Sequence, residues 1–221
     1  MTATSFFIAF EGLDGSGKDT VLNRIFPLFY TAESSPLFIS KFQRVLRTRE
    51  PTSASVYGRK IIAGLQDGSL SSRPGAAVAS WYIKDRKMHS SLIKKNMTAG
   101  VIVLSSRYDL STYAYQMAMG VSFKDIYRKH AYGRQRGAVI PDLTLYFRLT
   151  PAAAMKRISS RLQQKEAFEK KAFLKKVYNC YNKALTRLKE KDQRRIAVIN
   201  AAVGRKKVLS GTVNAIKRSL F

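Results

Sequence analysis

Gly12, Gly17 and Lys18 stand at intervals that suit phosphate chemistry, in the stretch FIAFEGLDGSGKDT from Phe7 to Thr20. A glycine, four residues, a second glycine and a lysine is the spacing of a phosphate-binding loop. Its glycines let backbone N–H groups turn inward around a phosphate, and the helix that follows adds its positive end. Lys18 brings a point charge for the terminal phosphates. Gly12, Leu13, Asp14, Gly15, Ser16, Gly17, Lys18, Asp19 and Thr20 therefore make a candidate anion cradle. One position departs from the pattern. The residue after the lysine, usually a serine or threonine whose hydroxyl holds magnesium, is Asp19.

Such a loop has to join a strand to a helix, and the sequence supplies both. Short apolar runs occur at Ser5–Glu11, Arg44–Glu50, Gly100–Ser106, Asp142–Leu149 and Arg194–Ala201. Longer amphipathic stretches separate them, which is the signature of βαβ units. The expected fold is α/β: a doubly wound, five-stranded parallel sheet flanked by helices, in one domain over residues 1–221. The clearest helix runs from about Phe168 to Lys191, where Phe173, Val177, Tyr181, Ala184 and Leu188 recur at helical spacing. That stripe reads as core rather than as a cofactor surface.

The hydrophobic fraction, 45% of 221 residues, is that of a globular protein. A single cysteine, Cys180, excludes an intrachain disulfide and points to a reducing, cytoplasmic compartment. No apolar run reaches the ~18 residues of a membrane helix, and the first strand begins too near Met1 for a signal peptide. His89 and His130 are isolated in the sequence, so no zinc set is evident. The charge is unusual. Net charge is +26, and the segment from Leu143 to Phe221 holds 20 basic against 4 acidic residues. Such a surface attracts nucleic acid through a salt-sensitive term, or is simply a basic solvated exterior. A homodimer is compatible with the sequence and not specified by it.

Further along stand TREPT (Thr48–Thr52), WYIKDR (Trp81–Arg86), SSRYDLSTYAYQ (Ser105–Gln116) and PDLTLYF (Pro141–Phe147). With the loop, and in this order, they resemble the thymidylate kinase family of P-loop nucleoside monophosphate kinases. The resemblance implies a P-loop fold with a short lid near residues 161–169. It implies transfer of the ATP γ-phosphoryl to dTMP with Mg²⁺. It further implies that Arg49 clamps the acceptor phosphate and that Arg107 bridges donor and acceptor phosphates. Tyr82 falls where an aromatic stacks on thymine, and Arg86 where an arginine hydrogen-bonds that base. Asp14 matches the residue that holds the deoxyribose 3′-hydroxyl. Thr112 and Tyr115 lie on the base and sugar side, the tyrosine crowding the 2′ position.

The chain departs from the family at three places. The family's Asp-Arg-Tyr is Ser106-Arg107-Tyr108 here. The lid offers Arg161 and Lys165 where Asp-Arg is usual, and Phe147-Arg148 replaces Leu-Asp. Two explanations of Asp19 follow. In one, the carboxylate lost at Ser106 has moved to Asp19, which becomes the metal partner. In the other, the site has decayed and the chain is a kinase-like binder of nucleic acid or a ribonucleoprotein.

Overall fold

The computed structural model describes residues 5–29, 44–159 and 171–220. The proposed lid and Arg161 lie outside them. Five strands form one sheet: β1 (Phe6–Gly12), β2 (Arg44–Arg49), β3 (Val101–Ser106), β4 (Leu143–Arg148) and β5 (Ile196–Asn200). Every adjacent pair is parallel and the order is β2-β3-β1-β4-β5. All five expected strands are present, to within two residues at each end.

Burial follows position in the sheet. The central strands β1, β3 and β4 are buried along almost their whole length, while no residue of β2, at the edge, is fully buried. Alternate residues of β1 serve two cores. Phe6, Ile8 and Phe10 enter the larger cluster, and Phe7 and Ala9 the smaller, with Val103, Tyr108 and Ile93. A parallel sheet needs apolar cover on both faces because its crossovers are helices.

The helices are α1 (Lys18–Ile25), α2 (Val56–Gln66), α3 (Gly75–Thr98), α4 (Asp109–Ala118), α5 (Phe123–Gln135), α6 (Pro151–Ser159), α7 (Lys171–Asp192) and α8 (Arg205–Leu220). Along α7 the buried stripe is Leu174, Val177, Tyr181, Ala184 and Leu188. Phe173, expected in that stripe, sits at its margin instead, its ring 6.3 Å from that of Tyr115. Among the described residues no helix is long and apolar enough to cross a membrane.

Because all strands run the same way, their carboxyl ends share one edge of the sheet. Gly12, Arg49, Ser106, Arg148 and Asn200 mark it, and ligands of open α/β sheets bind in the crevice there.

Candidate active site

The loop after β1 keeps its shape through its glycines. Gly12, Gly15 and Gly17 all have positive φ. At Gly12 a side chain would also collide, since a Cβ there would lie 2.7 Å from the Phe147 carbonyl oxygen. Gly17 caps α1 in a left-handed conformation with no side-chain hydrogen bond. The first N–H groups of α1 are thus left for an anion.

Lys18 lies at the entrance to α1 and is 3% exposed. Its Nζ is 3.4 Å from Asp14 Oδ1 and 3.3 Å from Asp19 Oδ2. Burial works against both carboxylates. Arg107 and Lys18 nevertheless hold Asp14 well below the usual carboxylate range, and Lys18 with Ser106 lowers the pKa of Asp19. Both are anionic at neutral pH.

Arg107 follows β3 with φ 63°, a left-handed conformation uncommon for a non-glycine residue. Three hydrogen bonds hold this turn. The Arg107 N–H donates to the Phe10 carbonyl (2.9 Å), Ser105 Oγ donates to the Arg107 carbonyl (2.7 Å), and the Tyr108 N–H donates to Glu11 Oε1 (2.9 Å). The turn aims the guanidinium across the mouth of the loop. There it pairs with Asp14 and donates to Ser111 Oγ (3.1 Å), Tyr115 OH (3.2 Å) and the Gly12 carbonyl (3.3 Å).

A cavity of about 500 Å³ opens on this side of the loop. Asp14, Lys18, Asp19, Arg49, Tyr82, Ser106, Arg107, Thr112 and Tyr115 all line it. Eight of the residues singled out in the sequence are thereby brought together, with Ser106 beside them. Tyr115 OH donates to Asp14 Oδ2 at 3.2 Å, so this tyrosine and the loop carboxylate are tied. Arg86 stands differently. It is 3% exposed and its Nη2 donates to Glu50 and to Thr112 Oγ1 (2.8 Å). It therefore reaches the cavity through Thr112 and Glu50, both of which line the wall.

The two histidines support that wall. His130 Nε2 is 3.0 Å from Arg86 Nη1, and His89 Nδ1 is 3.0 Å from Glu50 Oε1. Burial, and then Arg86, hold the His130 imidazole well below its ordinary pKa. It is therefore neutral and accepts from the arginine.

A second cavity, about 470 Å³, opens on the other side of the loop. Gly15, Ser16, Gly17 and Thr20 line it with Arg24, Arg157, Ala201, Val203 and Arg205. Arg157 on α6 donates to the carbonyls of Gly15 (3.3 Å) and Ala201 (2.9 Å), joining the loop to the segment after β5. None of the residues beyond the loop was singled out in the sequence. The available signal was topological, because Ala201–Arg205 follow a strand end on the ligand edge.

Two further residues were missed. Glu11, at the end of β1, is fully buried and accepts from the N–H of Ser111 and of Tyr108. Burial raises its pKa against the opposing effect of Ser111. Tyr181 on α7 is core as expected, stacked on Tyr146 with ring centroids 5.1 Å apart. Its hydroxyl also reaches Ser111 Oγ (2.8 Å) and the Gly12 carbonyl (3.3 Å), so one core residue braces the site.

The thymidylate kinase family model matches residues 10–209. A thymidylate kinase of Thermosipho africanus is 30% identical over 185 residues, 83% of this chain and 86% of that one. A probable thymidylate kinase of Methanococcoides burtonii is 34% identical over 214 residues, 95% of this chain and 94% of its own. A thymidylate kinase of Mesoplasma florum is 31% identical over 219 residues, 95% and 94% of the two chains. With its strand order, phosphate loop and two flanking cavities, the chain belongs to the thymidylate kinase family.

Proposed function

We propose that this chain transfers the γ-phosphoryl group of ATP to dTMP, giving dTDP and ADP. One observation carries the reading: a single phosphate loop forms a wall of two cavities, with Lys18 and Asp19 on one and Gly15, Gly17 and Thr20 on the other. Donor and acceptor phosphates brought from the two sides would meet at Lys18. A phosphate oxygen of dTMP attacks the γ-phosphorus, and the bond from that phosphorus to the β–γ bridging oxygen breaks. Transfer of this kind depends on positioning and charge more than on a base.

The acceptor side has matching parts. Arg49 and Arg107 carry the charge for a monophosphate, and Tyr82 offers a ring face for a pyrimidine. Thr112 and the Arg86 behind it offer polar atoms for the base edge. Tyr115, held by Asp14, would crowd the 2′ position of a ribonucleotide and so favour deoxyribose. Gly15, Ser16, Gly17, Thr20 and Arg157 suit the donor. Arg161, outside the described residues, joins this reading through the family resemblance alone.

Magnesium fits the donor set present. Among the described residues no group of three His, Cys, Asp or Glu could hold a metal unaided. Mg²⁺ is commonly held by phosphates, waters and only one or two carboxylates. Asp19 would be that carboxylate. When bound, the ion neutralises charge that develops on the phosphates.

The test is a coupled ADP-release assay with dTMP and UMP. Turnover with a clear preference for dTMP is expected, and equal rates would show the sugar pocket misplaced.

A second activity is favoured by the surface. Among the described acidic residues only Asp19, Asp67, Asp142 and Glu190 are exposed, whereas α7 alone exposes Lys171, Lys175, Lys176, Lys183, Arg187, Lys189 and Lys191. Binding to nucleic acid through this half would weaken with salt at a log–log slope near −0.9 per phosphate contact on duplex DNA. No retention on duplex DNA at low salt would remove it.

A further inference from the structure

Phosphate loops that hold magnesium commonly divide the work in a fixed way. The loop gives a hydroxyl from the residue after its lysine, and a separate strand end gives a carboxylate. In this chain both groups are present with their positions reversed. The loop gives the carboxylate Asp19 and the end of β3 gives the hydroxyl Ser106.

The two positions are 87 residues apart in sequence, yet Ser106 Oγ donates a hydrogen bond to Asp19 Oδ1. Both side chains line the acceptor-side cavity beside Lys18 and Arg107. Resting on the phosphotransfer reading above, we propose that Asp19 and Ser106 form one magnesium-positioning pair in which loop and strand have exchanged carboxylate and hydroxyl.

Three features of the pair support this. The Asp19 side chain is 64% exposed, so its carboxylate is open to the cavity rather than buried in a structural ion pair. Ser106 spends its one hydroxyl hydrogen on Asp19, which leaves its oxygen lone pairs free to accept from a metal-bound water. The net charge of the pair equals that of the usual arrangement, one carboxylate and one hydroxyl. Asp19 also lies 3.3 Å from Lys18, so the metal's carboxylate and the phosphate's lysine come from neighbouring residues of one loop.

Had Asp19 been merely an intruder, Ser106 would be an unrelated replacement with no reason to touch it. The hydrogen bond joins the two departures into one change. It also makes the pair testable as a unit, because residues that share a bond should show non-additive substitution effects.

The experiment measures ADP binding by calorimetry across a magnesium series and in chelator, for the whole chain and three variants. Asp19→Ser should raise the magnesium concentration for half-maximal ADP binding about 10-fold or more, the range seen when metal-orienting groups are lost. Ser106→Asp should bring no gain, and should weaken ADP binding in chelator, because two adjacent carboxylates repel the phosphates. The double variant, Asp19→Ser with Ser106→Asp, should return to within about 3-fold of the parent. Additive improvement from both single changes would overturn the exchange. So would magnesium-dependent binding in the parent that neither side chain alters, and in that case the phosphotransfer reading would stand. Absence of any ADP binding by the parent would overturn both.

Discussion

The two cavities beside the phosphate loop are similar in size and different in construction. The cavity proposed for the acceptor is specified by side chains that bind one another: Asp14 with Arg107 and Tyr115, Arg86 with Glu50, Thr112 and His130. The cavity proposed for the donor is lined by loop glycines, by Arg24, Arg157 and Arg205, and by apolar side chains of α1, α8 and the segment after β5. Its Arg157 is anchored on two carbonyls, and residues after β5 complete the wall. A pocket made of mutually paired side chains is rigid before its ligand arrives and selects by shape and polarity. A pocket lined by loop glycines, arginines and small apolar side chains holds charge and tolerates more variation in sequence.

The sharpest way to break this comparison is at the residue between the cavities. Lys18→Ala should lower kcat by at least on the order of 10²–10³-fold, the cost of losing one preorganised electrostatic contact. An unchanged circular dichroism spectrum would show that the fold survives. Retained turnover would remove the loop from the chemistry.

Arg157→Ala comes next in size. Loss of a charged anchor on the loop should raise KM for ATP about 10-fold and leave KM for dTMP within a factor of about 2. A matching rise for dTMP would show that the two cavities are not separate sites. Tyr115→Phe is smaller and opposite in target. It removes the hydrogen bond donated to Asp14 and the one accepted from Arg107, costing about 1 kcal/mol, or about 5-fold in KM for dTMP alone. Steady-state kinetics with each substrate varied in turn checks both.

The last effect leaves turnover aside and concerns pH and stability at the Arg86 wall. His130 is neutral in the folded chain with its pKa held well below the ordinary value, by burial and then by Arg86. The unfolded chain takes up that proton near pH 6.5. Stability from this group is therefore full above that pH and falls as pH drops below it, by up to ~1.4 kcal/mol per pH unit, until folded His130 itself titrates. His130→Gln should flatten the fall in Tm between about pH 6.5 and 5 relative to the parent. Parallel Tm curves for the two proteins would show that His130 does not carry it.

What the sequence disclosed follows the same division. The strands were legible because a parallel sheet buried on both faces needs near-continuous apolar runs, and β1, β3 and β4 have them. The cavity proposed for the acceptor was legible through the family resemblance, which rests on short motifs: the loop, Arg49 and Arg107 at strand ends, Tyr82 on α3, and Thr112 and Tyr115 on α4. Arg157, Ala201 and Arg205 were not, since main-chain carbonyls accept from any well-placed arginine and leave no residue pattern. His89 and His130 looked solitary because their partners, Glu50 and Arg86, come from distant elements. Tyr181 was legible as core, but a ring's helical spacing says nothing about where its hydroxyl ends. Leu174 took the place expected for Phe173 because the buried face of α7 begins one residue later.

In the proposed reaction the phosphoryl group crosses from one cavity to the other rather than to water. Phosphorus NMR of the protein with ATP, dTMP and Mg²⁺ follows both products at once. dTDP and ADP should appear together in equal amounts, and Lys18→Ala should stop both. ADP with inorganic phosphate and no dTDP, or no consumption of ATP at all, would contradict that reaction.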